Sequence, residues 1–378
     1  MVKRFIINLL IFISPPILVL AIPFFVLFKS GEYTNLNAII KKQGSGDKKY
    51  FFGLAYTDPS RYYKYQLFLK KEPEIIALGS SRVLQFRDSF FKSPSSFYNM
   101  GGTIQHLNTL EKFVDLIPAQ HHLKVIILSI DQNWLNLNLL EGFGQREGDF
   151  DKYNYPIGSF LPNSWDVYKD IFAGKISLSK LMVNNTNDGY GYFGVAAVMR
   201  KAGNRNDGSR YFGEGENQQP YSTRFQLFID RVVKTHDEQF KSGDSLEYKS
   251  CLQQFSRILG KCRAKGIYVS AYLAPLANCL TEELQKDSVH YAYMRHLGDY
   301  LKPVFSTYNY PLQDYTELKS LSMNDSEMLD ALHCSEKMSL RIWLDLGKKD
   351  PDLLQYADIP FLKKSLDENK YKFEVFGY

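Results

Sequence analysis

The sequence predicts an α/β fold, a parallel sheet dressed with helices, behind a single apolar N-terminal helix. Three observations predict it. The runs 75–78 (IIAL), 123–130 (LKVIILSI) and 267–274 (IYVSAYLA) are short and almost wholly apolar, as strands buried on both faces of a parallel sheet are. Between them lie stretches whose apolar residues recur every three or four positions, so strand and helix alternate as in a βαβ unit. Residues 5–28 contain only two polar residues, Asn8 and Ser14.

That last run comes first in the chain. Its 24 residues extend roughly 36 Å as a helix, enough for a bilayer core of about 30 Å. It is too long for the apolar core of a cleaved signal, and no small-residue cleavage site follows it. The expectation is an uncleaved signal anchor over 1–30, a single pass through the lipid bilayer by residues 5–28. Pro15, Pro16 and Pro23 each remove a backbone donor, a loss membrane helices tolerate as a kink. Lys3 and Arg4 precede the run and Lys29, Lys41 and Lys42 follow it, so flanking charge does not fix its orientation.

Residues 31–70 run from a Lys- and Gly-containing stretch (KKQGSGDKKYFFG) to an aromatic one (RYYKYQLFLKK). They read as a stalk leading into a domain over 71–348. After the strand at 75–78, a second short strand is expected at 96–99. Leu107, Leu110, Phe113, Val114 and Ile117 then mark a helix within 103–121. Beyond the strand at 123–130 the rhythm breaks. Residues 141–240 are rich in Gly, Asn, Asp and Tyr and read as a loop-rich insertion. Here Tyr190, Tyr192 and Phe193 suit either sugar stacking or a small core, and Asn184-Asn185-Thr186 fits a glycosylation pattern. Regular structure returns at a capping box, Asp244 and Glu247. An apolar stripe through Cys251, Phe255, Leu259 and Cys262 follows, and Gly266 stops the helix. After the strand at 267–274, a helix is expected over 281–301 and a weak strand over 303–308. A tail covers 349–378.

Composition narrows the function. The Lys and Arg behind the net charge of +5 are scattered, which does not point to nucleic acid. Cys251, Cys262, Cys279 and Cys334 match no zinc or redox spacing, and no cofactor or metal is expected. Cys251 and Cys262 are roughly 16 Å apart along a helix, beyond disulfide reach. His106, His121 and His122 lack the companions of a metal site.

The chemistry-bearing residues fall at strand ends. Ser81 follows the first core strand in Gly79-Ser80-Ser81-Arg82, and Asn99-Met100-Gly101-Gly102 follows the second. Asp131-Gln132-Asn133 follows the third, and Asp330-Ala331-Leu332-His333 leads into a C-terminal helix. Ligands of parallel sheets bind beyond such ends. A serine hydroxyl needs a base to attack. His333 can be that base, and Asp330 can orient its ring. Ser81 is the expected nucleophile, with Ser80 the alternative. Backbone N–H groups of Ser81 and of Gly101 or Gly102, with the side chain of Gln132 or Asn133, are the expected oxyanion donors. Arg82 suits either an anionic substrate group or a structural ion pair.

Through Gly79-Ser80-Ser81, Asn99-Met100-Gly101-Gly102 and Asp330-x-x-His333, taken in that order, the chain resembles the SGNH (GDSL-type) hydrolase superfamily. With an anchor and Gly-Ser-Ser in place of Gly-Asp-Ser, it resembles the membrane-anchored branch that includes the teichoic-acid D-alanyl transfer protein and cell-envelope O-acylation proteins. The resemblance covers roughly 71–135 and 245–345 and departs at the usual Gly-x-Asn-Asp block, where Ser129-Ile130-Asp131-Gln132-Asn133-Trp134 stands. It implies a three-layer αβα domain with a central parallel sheet, SGNH- or flavodoxin-like, lying outside the cytoplasm in the periplasm or at the cell surface. It implies a serine esterase or O-acyltransferase acting on a cell-envelope glycan or acylated carrier, beside a membrane-bound O-acyltransferase. The alternative is a non-catalytic glycan-binding or assembly partner on the same scaffold.

Overall fold

The computed structural model describes every residue except 1, 47, 136–148, 154–156, 184–188, 214–220, 235–239, 241–244, 288, 370 and 378. The glycosylation pattern at Asn184 and the capping Asp244 therefore lie outside the described residues. The strands are β1 (Tyr50–Phe52), β2 (Ile75–Gly79), β3 (Phe97–Gly101), β4 (Val125–Ile130), β5 (Gly191–Phe193), β6 (Gly203–Asn204), β7 (Arg210–Tyr211), β8 (Tyr268–Leu273) and β9 (Leu312–Asp314). They form two sheets, one in each of two units.

The larger unit comprises Ser60–Lys152, Asp207–Ser209 and Asn217–Tyr378. Its sheet has the order β3-β2-β4-β8-β9, parallel throughout. β2, β3 and β4 are buried along their whole length, as their unbroken apolar runs require. Met100 and Leu128 flank Leu78 in register, so β2, β3 and β4 end side by side. The chain leaves β2 for β3 on one side and later returns to β4 on the other, which opens a crevice at the carboxyl end of β2. The helix Leu107–Leu116 packs along Ser245–Ala264, with Lys261 Nζ 3.0 Å from Glu111 Oε1.

Several expectations need correction here. The single helix expected over 281–301 is Asn278–Lys286, a short turn Ala292–Arg295 and Leu297–Thr307. The last of these absorbs the strand expected at 303–308. Leu297, Leu301 and Phe305 are buried at four-residue spacing, a helical period that the short run at 303–308 hides. The strand comes later, as β9. Residues 349–378 are no tail. The helices Pro351–Leu354 and Ile359–Glu368 follow, and Lys337 N–H donates to Phe373 O at 3.0 Å. The buried Glu336 carboxylate then accepts the N–H groups of Val375 and Phe376 at 3.2 and 2.9 Å.

The smaller unit comprises Met1–Pro59, Tyr153–Asn206 and Arg210–Glu216. The expected stalk is folded. Residues 36–45 form a helix that Asn35 caps and Gly46, at φ +76°, ends. β1 sits inside the sheet β5-β1-β6-β7, and Ser60–Lys71 is a helix of the larger unit. The expected insertion is likewise shared between the units. Pairing of β1 with β5 joins chain segments too far apart for local pattern to reveal. Tyr192 stacks on buried Phe51 with centroids 5.7 Å apart, so the aromatic cluster is a small core. The helix Val2–Lys29 is long and apolar enough to span a membrane. Its Val26 and Leu27 pack with Val167, Ile176, Val195 and Met199. The four cysteines are unbridged.

Candidate active site

At the end of β2 the chain must turn tightly. A Cβ on Gly79 would meet Ser129 O at 2.8 Å, so glycine is needed there. Ser80 then caps a single helical turn, Ser81–Val83, its Oγ accepting Arg82 N–H at 3.3 Å. Buried and engaged, Ser80 is structural. Ser81 is half-buried, and its Oγ lies 2.8 Å from His333 Nε2.

The His333 loop explains itself locally. Asp330 Oδ1 accepts the backbone N–H of Leu332 and of His333, each at 2.8 Å, a tight Asx-type turn. That turn brings Asp330 Oδ2 to 2.8 Å from His333 Nδ1. Ser335 caps the helix Glu336–Lys349 by accepting Met338 N–H at 3.1 Å, which stops the loop two residues after His333. An ionised carboxylate only accepts, so Nδ1 carries the proton and Nε2 is left to accept from Ser81. Burial works to raise the Asp330 carboxyl, but the His333 charge, its hydrogen bond and the two backbone N–H groups outweigh it. The carboxyl is held below its usual range.

Arg82 is buried, and each of its three guanidinium nitrogens donates within the fold. Its Nε donates to Leu332 O at 3.1 Å, and one terminal nitrogen donates to Gln132 Oε1 at 2.5 Å. The other donates to Pro275 O, and Asp131 Oδ1 lies 3.7 Å from the fork. One guanidinium thus ties the His333 loop to the ends of β4 and β8. Of its two expected roles, the structure shows the structural one, each of the three nitrogens donating within the fold.

The expected oxyanion donors need correction. Gly101 N–H donates to Asn99 Oδ1 at 2.7 Å. Gly102 N–H donates to Ser80 O at 2.8 Å and Gly79 O at 3.0 Å. These glycines answer to packing: a Cβ on Gly101 would meet Val83 Cγ1 at 2.8 Å, and Gly102 sits at φ +81°. Gln132 Nε2 is spent on Ala274 O at 2.6 Å and Thr316 Oγ1 at 3.3 Å, so Gln132 braces β4 against the β8 end. Ser81 N–H and the Asn133 side chain make no hydrogen bond to the described residues. They are the expected donors left over.

Three further residues surround the triad. Asp131 is buried beside Arg82, and burial pushes its carboxyl up against the pull of Arg82, the Ser80 hydroxyl and His333. Phe228, on the helix Tyr221–Ile229, sets its ring edge-on to His333 with centroids 5.8 Å apart. Arg224 of the same helix donates to Leu329 O, whose N–H donates to His333 O at 2.8 Å. Asp131 was legible as the first charge after an apolar strand. Phe228 and Arg224 lie in the stretch without periodicity and gave no signal. Compared with protein-family models, with curated proteins and with solved structures, the chain matches none.

Proposed function

We propose that the chain is a membrane-anchored serine esterase or O-acyltransferase of SGNH type, its catalytic domain outside the cytoplasm and its substrate an acylated cell-envelope glycan or carrier. The observation that carries this reading is the continuous relay Ser81 Oγ–His333 Nε2 and His333 Nδ1–Asp330, at 2.8 Å in each link. Ser81 attacks the acyl carbonyl while His333 takes its proton at Nε2. The imidazolium formed is held against Asp330. The oxyanion is met by Ser81 N–H and the Asn133 amide. His333 then returns the proton to the leaving alcohol, which gives an acyl-serine. Water or a sugar hydroxyl, deprotonated by His333, attacks the acyl-serine, reforming Ser81 and releasing an acid or a new ester. A membrane-bound O-acyltransferase is the partner that would supply or receive the acyl group.

A second reading has one observation in its favour. The N–H groups of Gly101 and Gly102 are spent inside the fold, which thins the oxyanion site and suits a non-catalytic glycan-binding or assembly partner. A fluorophosphonate probe separates the two. Labelling of the full chain that is lost in Ser81→Ala and kept in Ser80→Ala is expected. A folded chain that takes no label overturns catalysis.

A further inference from the structure

The helix Phe160–Phe172 of the smaller unit buries Val167 but also carries an exposed apolar side. Its polar Asn163 and Ser164 are buried; Asn163 Nδ2 donates to Tyr33 Oη at 2.9 Å and Ser164 Oγ to Phe160 O at 2.6 Å. Three of its large apolar residues face outward, with Leu161 65%, Trp165 66% and Phe172 86% exposed. With half-buried Tyr168 they repeat at spacings of four, three and four, one stripe along one side of the helix. In water such a stripe exposes costly apolar area and buries polar groups that need partners.

The neighbour of this helix names the medium. Val167 packs with Val26 and Leu27 of the apolar helix. The Phe160 and Phe24 rings lie 6.4 Å apart, and Tyr168 Oη donates to Val19 O. Val19 is about 15 Å from Lys29 along the helix axis, half of a core of about 30 Å. The contact therefore covers the half of the apolar helix nearest Lys29. Phe160 and Tyr168 thus meet the apolar helix about 8 and about 15 Å from Lys29, within the hydrocarbon.

We infer that Phe160–Phe172 is a second membrane-contacting element, lying against the Lys29-side half of the apolar helix with Leu161, Trp165 and Phe172 in the acyl chains. This rests on reading Val2–Lys29 as the membrane anchor. The occupant of the stripe is lipid, because the stripe continues a surface that an anchored helix already presents to lipid.

The chain has three tryptophans. Trp134 and Trp343 are 3% and 0% exposed, so Trp165 reports on its own surroundings. The full chain is placed in vesicles of phosphatidylcholine brominated on the acyl chains, or of the unbrominated lipid. Wild type is expected to lose tryptophan emission to bromine, and the Trp165→Phe variant to keep its remaining emission. Aqueous iodide is expected to leave the Trp165 contribution intact. Quenching by iodide and not by bromine overturns the lipid contact. Protection from both means that protein, a second copy or a partner, covers the stripe, and overturns it too. Carbonate washing reads the anchor separately. A chain that washes off overturns the anchor and this contact together, and a chain that stays with Trp165 open to iodide overturns this contact alone.

Discussion

Asp330 both shapes and polarises. The same Oδ1 that closes the turn onto Leu332 and His333 belongs to the carboxylate that fixes the imidazole proton on Nδ1. Asp330→Asn keeps the turn but not the charge, and turnover should fall about 10^4-fold with little change in KM. Arg82 gives a different prediction. Arg82→Lys keeps a charge but cannot bridge Leu332, Pro275 and Gln132 at once. The expected outcome is reduced kcat with KM held, measured on an acyl ester substrate, with Ser81 still labelled slowly by the fluorophosphonate. At this scale Ser81, His333 and Asp330 were legible because residue type and order carry triad chemistry. The oxyanion donors were not. Whether an N–H is free depends on what folds over it, and Asn99 claims Gly101 from two residues away in the same strand.

Single elements carry their own liabilities. Arg87 and Glu336, 2.9 Å apart and nearly inaccessible, join the segment after β2 to the start of the last long helix. Removing one partner of a buried pair leaves the other charge uncompensated, so Glu336→Ala should lower stability by about 3–5 kcal/mol, read by denaturant unfolding. Asp88 N–H donates to Asp207 Oδ2 at 3.1 Å. Burial first, and the Asp207 charge second, push the Asp88 carboxyl up to about 7. The folded state therefore holds that proton more tightly than the unfolded chain does, and stability falls as pH rises from about 4 to about 7. Asp88→Asn should stabilise the chain by roughly 1–3 kcal/mol at pH 8 and by nothing measurable at pH 4. Thermal melts at the two values check it. The central strands were readable because burial on both faces leaves an unbroken apolar run. β1, β5, β6 and β7 have two or three residues each, too few to show any period.

On the scale of the whole molecule, the parallel sheet and the apolar helix were legible, and the partition was not. Composition marks 31–70 and 141–240 as irregular, yet these are the stretches from which the smaller unit is assembled. Pairing between distant segments leaves no local trace, because each partner is shaped by the other. The same pairing imposes an order of events during synthesis. β1 lies between β5 and β6, and both of those strands come from beyond residue 190. The apolar helix can leave the ribosome and settle early, but the segment attached to it has no sheet to join until the first segment of the larger unit, Ser60–Lys152, and the chain beyond residue 190 have been made. Loop closure over so long a span is slow. Chains halted near residue 150 should leave 31–59 open to added protease, while full-length chains should protect it. A gene shortened to begin at residue 60 would remove β1 and leave β5 without a hydrogen-bonded neighbour.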